Sequence, residues 1–306
     1  MIQRRTAIGL LAAAGSAAAL SAPAVADQAA AAGMGSVKGA GTASARAARR
    51  SSAEVFDPAN PAHVALAFRK LAYSADDRLT YWWMKGTRYG VTGSVATPFW
   101  DMYVATWFKT RDLPDGKYEV KSAGCNFYTL PGGTTLLEKF DNPFTGKTVE
   151  VPYGPPRATT MVMAQRGGSA FAGGNVPGMK STRDTDIGPA WVEGEVVHVQ
   201  GDIMMHNEPL EAGKRSFTVN DWSTYIGMVA DVLDPKARNP PAAQMFNDIL
   251  DFPPWLQMGD YQGTYVSRCY GRKVMDYGDM PALWRGIFER RFPEVARDPG
   301  ALLRSA

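Results

Sequence analysis

The chain has 306 residues, 45% of them hydrophobic and 11% aromatic, with 33 basic and 30 acidic side chains and a net charge of +3. That length supports one substantial domain with a real core. The near-neutral balance lacks the basic footprint that nucleic acid or anionic lipid requires, and no stretch is long and apolar enough for a stable membrane span.

The chain opens Met1-Ile2-Gln3-Arg4-Arg5-Thr6, continues through an uncharged run from Ala7 to Ala22, and then reads Ala24-Val25-Ala26. A charged start, a short weakly apolar middle and a small-x-small end are the three parts of a secretory signal. The Arg4-Arg5 pair points to the twin-arginine route, which exports folded proteins. The expectation is a signal peptide over residues 1–26, the twin-arginine export machinery as a partner, and a periplasmic or secreted mature protein. Cleavage before Asp27 would remove two basic residues and no acidic ones, lowering the net charge to +1. Residues 27–54 are rich in Ala, Gly and Ser with almost nothing large to bury, and read as a disordered linker. A single β-rich domain over residues 55–306 remains.

That domain starts with a helix. Asn60 can cap it, Pro61 suits its first turn, and Val64, Phe68 and Leu71 share one face. From Leu79 the pattern turns to β, through aromatic-rich runs at Thr80–Val91 and Phe99–Lys109 and an alternating run at Tyr118–Tyr128. Thr135–Phe140 and Lys147–Val151 read as a hairpin around the turn residues of 141–146. The glycines of Gly167-Gly168 and Gly173-Gly174 read as a mobile loop. Val192–Met205, Ser216–Ile226 and Gly263–Lys273 complete the strands. Residues 229–251 carry breakers at Pro235, Pro240 and Pro241, with one helical turn near Gln244–Leu250. A last helix takes Asp279 as cap and Pro281 in its first turn, with an apolar stripe of Leu283, Ile287 and Phe288, and ends at Pro293. The fold class is mainly β: an antiparallel curled sheet or barrel, calycin-like in strand order, with an N-terminal helix and a C-terminal bracing helix.

Three sequence pieces occur together: Trp82-Trp83 with Gly86 and Tyr89; the turn Asn142-Pro143-Phe144-Thr145-Gly146-Lys147; and Phe252-Pro253-Pro254-Trp255-Leu256-Gln257-Met258-Gly259-Asp260, followed by Gly263 and Gly271-Arg272-Lys273. On these motifs most of residues 60–300 resembles the bacterial family catalogued as domain of unknown function 1838. The resemblance implies a shared fold and frequent export signals, and it brings no catalytic residues.

No Gly-x-Ser-x-Gly elbow, phosphate loop, dinucleotide fingerprint, Cys-x-x-Cys pair or His-Glu-x-x-His helix occurs. Cys125 and Cys269 read either as buried inert thiols or as a disulfide. Of three histidines, His63 falls on the first helix. His198 and His206 share a strand with Asp202, and in an unbroken strand His198, Gln200, Asp202, Met204 and His206 line one side. As an inward-facing ladder these residues offer acid–base chemistry. A shared metal is disfavoured, because the two imidazoles stand about 27 Å apart along extended chain. The plain alternative is a solvent-facing strand edge. Arg88, at even spacing from Trp82, reads either as a fixed cation for a carboxylate or phenolate, or as an exposed strand arginine or the cation–π partner of a nearby ring. Trp83, Tyr103, Asn126, Tyr128, Trp222, Tyr225 and Trp255 are candidates for an aromatic ligand lining; ordinary core packing is the alternative for each.

Three functional readings follow. The first is an exported enzyme acting on a hydrophobic small molecule, aromatic by preference, through cofactor-independent acid–base chemistry of lyase or isomerase type. His198 or His206 would be its base, Asp202 would orient or share the proton, and Arg88 would steady an anion. The second is a periplasmic small-molecule-binding β-barrel without turnover. The third is a structural or interaction protein of the envelope.

Overall fold

The computed structural model describes residues 55–164, 169–173, 179–211 and 216–304. The expected signal peptide and linker, and most of the glycine loop around 165–178, lie outside the described residues.

Helix α1 (Pro61–Ala72) forms where the caps place it. The Asn60 side chain accepts a hydrogen bond from the Ala62 N–H, and Val64, Phe68 and Leu71 are buried. Twelve strands follow: β1 (Thr80–Thr92), β2 (Val95–Asp112), β3 (Tyr118–Thr129), β4 (Lys139–Asp141), β5 (Thr148–Glu150), β6 (Thr159–Met163), β7 (Ser169–Gly173), β8 (Met179–Glu193), β9 (Val196–Pro209), β10 (Phe217–Met228), β11 (Ala243–Asp251) and β12 (Thr264–Val274). Helix α2 (Val229–Leu233) lies between β10 and β11, and α3 (Ala282–Arg291), α4 (Pro293–Arg297) and α5 (Ala301–Arg304) close the chain. No helix of the described residues is long and apolar enough to cross a membrane.

Ten strands make one antiparallel sheet in the order β7-β6-β3-β2-β1-β12-β11-β10-β9-β8, with β4 and β5 forming a separate hairpin. The edge strands β7 and β8 return alongside one another without ladder bonds, so the sheet curls most of the way to a barrel. This is the mainly β, curled antiparallel architecture that the alternating runs predict.

Three local expectations change. Gln244–Leu250 is not a helical turn but the body of β11, paired on both sides. The run from Val192 crosses a hairpin: β8 ends at Glu193, Gly194 turns the chain with φ +60°, and β9 starts at Val196. A type of turn that needs positive φ explains why a glycine stands there. The final helix is capped by no side chain; Asp279 falls in a preceding 3-10 turn, and Pro293 opens α4.

The register fixes which side chains face inward. Trp82, Met84, Arg88 on β1 share a face with Phe108, Val104 and Trp100 on β2, and with Lys273, Ser267 and Tyr265 on β12. One end of this interior is filled by α1: Phe68 and Leu71 pack with Trp82, Val197, Val199 and Tyr225. Gly201 and Gly227 make that possible. A Cβ at Gly201 would lie 2.4 Å from the Phe68 ring, and one at Gly227 would lie 2.3 Å from a Leu71 methyl. The helix is tethered by polar bonds as well. Trp82 Nε1 donates to the Ala72 carbonyl at 2.8 Å, and Lys273 Nζ donates to the Lys70 and Tyr73 carbonyls at 2.6 and 2.9 Å. Burial pushes the Lys273 ammonium down to about 7. The other end is filled by the β4–β5 hairpin and the Pro254–Leu256 turn, where Trp255 stacks on Trp100 with centroids 5.6 Å apart. Outside the sheet, Trp284, Ile287 and Phe288 of α3 cover Trp107 and Phe127, which braces β1–β3 as expected.

Gly201→Ala should destabilise the protein by about 1–3 kcal/mol through overpacking. Combining it with Phe68→Leu should recover part of that loss, giving a coupling above about 0.5 kcal/mol in urea unfolding. Strictly additive costs would show that the helix does not press on this strand.

Candidate functional site

Between the two filled ends, the inner face carries charge. Arg88 on β1, Ser267 on β12, Asp248 on β11 and Asp221 on β10 are direct cross-strand neighbours in one continuous row. Arg88 Nη1 donates to Asp248 Oδ1 at 2.5 Å, and both side chains are below one-tenth exposed. The same oxygen accepts from the Ser267 N–H at 2.9 Å and the Ser267 hydroxyl at 2.6 Å. The guanidinium lies over the Tyr265 ring, 4.1 Å from its centroid. Asp248 Oδ1 is thus held by three donors, and Arg88 is the counter-ion of this buried carboxylate.

Asp221 is the other kind of carboxylate. No described residue donates a hydrogen bond or forms an ion pair to it, although Asp248 stands beside it. Burial, and after it the negative charge of Asp248, pushes its carboxyl up to about 7, against the opposing pull of Arg183 and Arg88. Its oxygens open onto a cavity of about 190 Å³ inside the sheet, partly open to solvent. The walls are Tyr73, Trp82, Phe108, Tyr225 and Phe246 with smaller apolar groups, and the polar groups on them include Arg183, Asp221, Ser223 and Gln244. An apolar cavity near 150 Å³ accepts benzene, so this space suits a single-ring molecule. Arg183 also donates to the Met161 thioether and lies close enough to Asp221, Tyr118 and Tyr225 to influence their ionisation.

Beside Asp221 on β10, the next inward residues are Ser223 and Tyr225. Gln244 Nε2 donates to the Ser223 hydroxyl oxygen at 2.9 Å and to the Tyr225 hydroxyl oxygen at 3.4 Å. The Tyr225 ring is fixed edge-on against Phe68 at 5.5 Å and Trp82 at 5.9 Å.

The structure separates the sequence-predicted residues by strand parity. Arg88, Asn126, Tyr128 and Tyr225 face inward. Arg88 is indeed a buried fixed cation, but its anion is Asp248. Tyr128 sits with Trp100 and Tyr265 at the hairpin end. Trp255 covers that end. His198, Asp202 and His206 do not form an inward ladder. The buried residues of β9 are the odd ones, Val197, Val199 and Gly201, so the even ones face out. His198 stacks on Trp191, and His206 is 43% exposed beside Thr218 and Glu208. Trp83 and Tyr103 occupy the outer face, Trp83 in the layer under the C-terminal helices and Tyr103 under Lys85. Trp222 is 48% exposed on the outer face of β10. Trp83 and Trp222 are separated by three strand pairings, about 14 Å across the sheet, and by four residues, about 13 Å, along it, so these rings do not converge. Cys125 and Cys269 are both free thiols, with burial raising the latter to about 12.

Asp221, Asp248, Arg183 and Gln244 are absent from the sequence-based candidates. Tyr225 carried the signal: residues 221, 223 and 225 share its face, and that face is inward.

Residues 210–305 match the model of a family described as protein of unknown function (DUF1838), which the chain resembles. The match takes in Asp221, Ser223, Tyr225, Gln244 and Asp248 and stops short of the 60–300 span that the motifs suggest. No curated protein and no solved structure matches the chain.

Asp221 favours the folded state while protonated. Its contribution is fully present below the ordinary aspartate range near 4 and is lost as pH rises through about 7. Asp221→Asn should therefore raise stability by about 3 kcal/mol at pH 8 and change it little at pH 4, read from thermal melts across that range. Equal effects at both pH values would contradict the raised carboxyl.

Proposed function

We propose that the interior of the sheet is a small-molecule site in which Asp221 moves a proton to or from a hydrophobic, single-ring ligand. The observation that carries this reading is a carboxylate without a hydrogen-bond partner among the described residues, on the wall of an aromatic-lined cavity, beside a carboxylate that Arg88 and Ser267 hold. A fold gains nothing in stability by burying such a group, and acids poised near neutrality collect at sites of chemistry. The chemistry is cofactor-independent acid–base catalysis of lyase or isomerase type, with Asp221 in the role that sequence reasoning gave to histidine. Arg183 supplies positive charge to an anion forming in the cavity, and Arg88 holds Asp248 in place beside Asp221.

The place of action follows from the sequence alone. The Arg4-Arg5 signal supports export in the folded state through the twin-arginine machinery and work in the periplasm or beyond it. Replacing Arg4→Lys together with Arg5→Lys should leave the protein uncleaved in the cytoplasm of its host, as read by fractionation. Unchanged export would remove the twin-arginine assignment.

The site is tested with native mass spectrometry of protein from its own host, and with thermal shifts against ring-sized phenols, aldehydes and aryl carboxylic acids. At least one class should bind, and Thr106→Phe, which fills the cavity, should abolish the effect. Asp221→Asn should then slow turnover of the bound compound by about 10²–10⁴-fold. No retained mass and no shift with any class would end the small-molecule reading. Tight binding with no turnover would leave a binding barrel.

A further inference from the structure

Resting on that reading, we infer that the cavity takes a carbonyl compound with an acidic C–H next to the carbonyl, and that the site enolises it between Asp221 and Tyr225. The inference comes from where the hydroxyl protons on β10 can go. Gln244 Nε2 has two hydrogens. One goes to the Ser223 oxygen at 2.9 Å and the other to the Tyr225 oxygen at 3.4 Å. Both hydroxyl oxygens therefore act as acceptors toward the amide. The Ser223 hydroxyl also lies against the Tyr225 oxygen. When the Ser223 hydroxyl donates to the Tyr225 oxygen, the Tyr225 O–H is left to point into the cavity that the phenol lines. A phenol that accepts from Gln244 and Ser223 and donates into the cavity is a polarised donor for a ligand oxygen.

Asp221 and Tyr225 stand at alternate inward positions of one strand, with Ser223 between them. Their α-carbons are separated by four residues, about 13 Å along the strand, and both side chains line the same cavity. A ketone bound there would meet the phenol with its oxygen and the carboxylate with its α-carbon, which requires the two side chains to lean toward one another across Ser223. The step balances without any co-reactant. The Asp221 carboxylate takes the α-proton, the C–H electron pair becomes the new C=C bond, and the carbonyl π pair moves to oxygen. That oxyanion is held by the Tyr225 O–H, with Arg183 as the nearby cation. Return of the proton from Asp221 to the same carbon exchanges it with solvent, and return to the γ-carbon of an unsaturated ketone shifts the double bond. Asp221 and Tyr225 are the catalytic residues. Gln244 is a positioning residue, since it acts by occupying the acceptor sites of Ser223 and Tyr225.

Two probes test this. Phenol matches the enol in size and places its oxygen where the enolate oxygen would lie, and its binding is read by calorimetry. Cyclohex-3-en-1-one reports enolisation through deuterium wash-in from heavy water and conjugation to cyclohex-2-en-1-one. Phenol should bind about tenfold tighter to Asp221→Asn, which imitates the protonated acid, and at least about tenfold weaker to Tyr225→Phe, which keeps the ring packing on Phe68 and Trp82. A downfield proton resonance between phenol and Tyr225 should vanish in Tyr225→Phe and move upfield in Gln244→Met. Wash-in should fall by about 10²–10⁴-fold in Asp221→Asn. If phenol binds wild type and Tyr225→Phe equally, or if the ketone takes up no deuterium, enolisation is wrong while the small-molecule site stands. If neither phenol nor any ligand class of the thermal-shift series binds, both fall together.

Discussion

Of two neighbouring carboxylates, the Arg88 guanidinium is committed to one. Arg88 bonds Asp248 at 2.5 Å, and Ser267 supplies two more donors to the same oxygen. Asp221, its cross-strand neighbour, is left beside a negative charge in a largely apolar interior, with no donor of its own among the described residues. Ionising it there is costly, because desolvation and repulsion act in the same direction. The cavity, the poised acid and the polarised phenol all take their meaning from that asymmetry. If both carboxylates were equally paired, the interior would be a structural ion network and nothing more.

The fold supports the asymmetry by filling both ends of the curled sheet with apolar groups. Phe68 and Leu71 enter one end through the space that Gly201 and Gly227 leave, and the hairpin with Trp100 and Trp255 fills the other. Lys273 and Trp82 hold the C-terminal end of α1 by its free carbonyls. The middle of the interior is therefore shielded at both ends and only partly open to solvent, and burial there raises the Asp221 carboxyl.

Much of this architecture was legible in the sequence. Asn60 and Pro61 announce α1, and the aromatic alternation announces β1, β2 and β3. Segments without a hydrophobic period were not legible: β8, with its run Ser181-Thr182-Arg183-Asp184-Thr185-Asp186, and β11, whose Met245 and Ile249 imitate helical spacing. Sheet pairing on both sides overrides that local pattern in β11. The site was harder, because a strand read alone does not say which parity faces in. On β9 the polar alternation suggests an inner set at the even residues, whereas Val197 and Val199 claim that face by burial. On β10 the aromatic character of Trp222 and Tyr225 suggests that both line a site, yet residues three apart on a strand point opposite ways. Choosing Tyr225 over Trp222 would have brought Asp221 with it, and only the packing of Tyr225 against Phe68 makes that choice.

The most direct measurement is the carbon-13 titration of the Asp221 carboxyl, assigned by comparison with Asp221→Asn. The account predicts a midpoint near 7, and a fall toward the usual carboxylate range when Asp248→Asn removes the neighbouring charge. A midpoint in wild type near 4 would mean that Asp221 is an ordinary solvated aspartate, and the interior would then hold no poised acid.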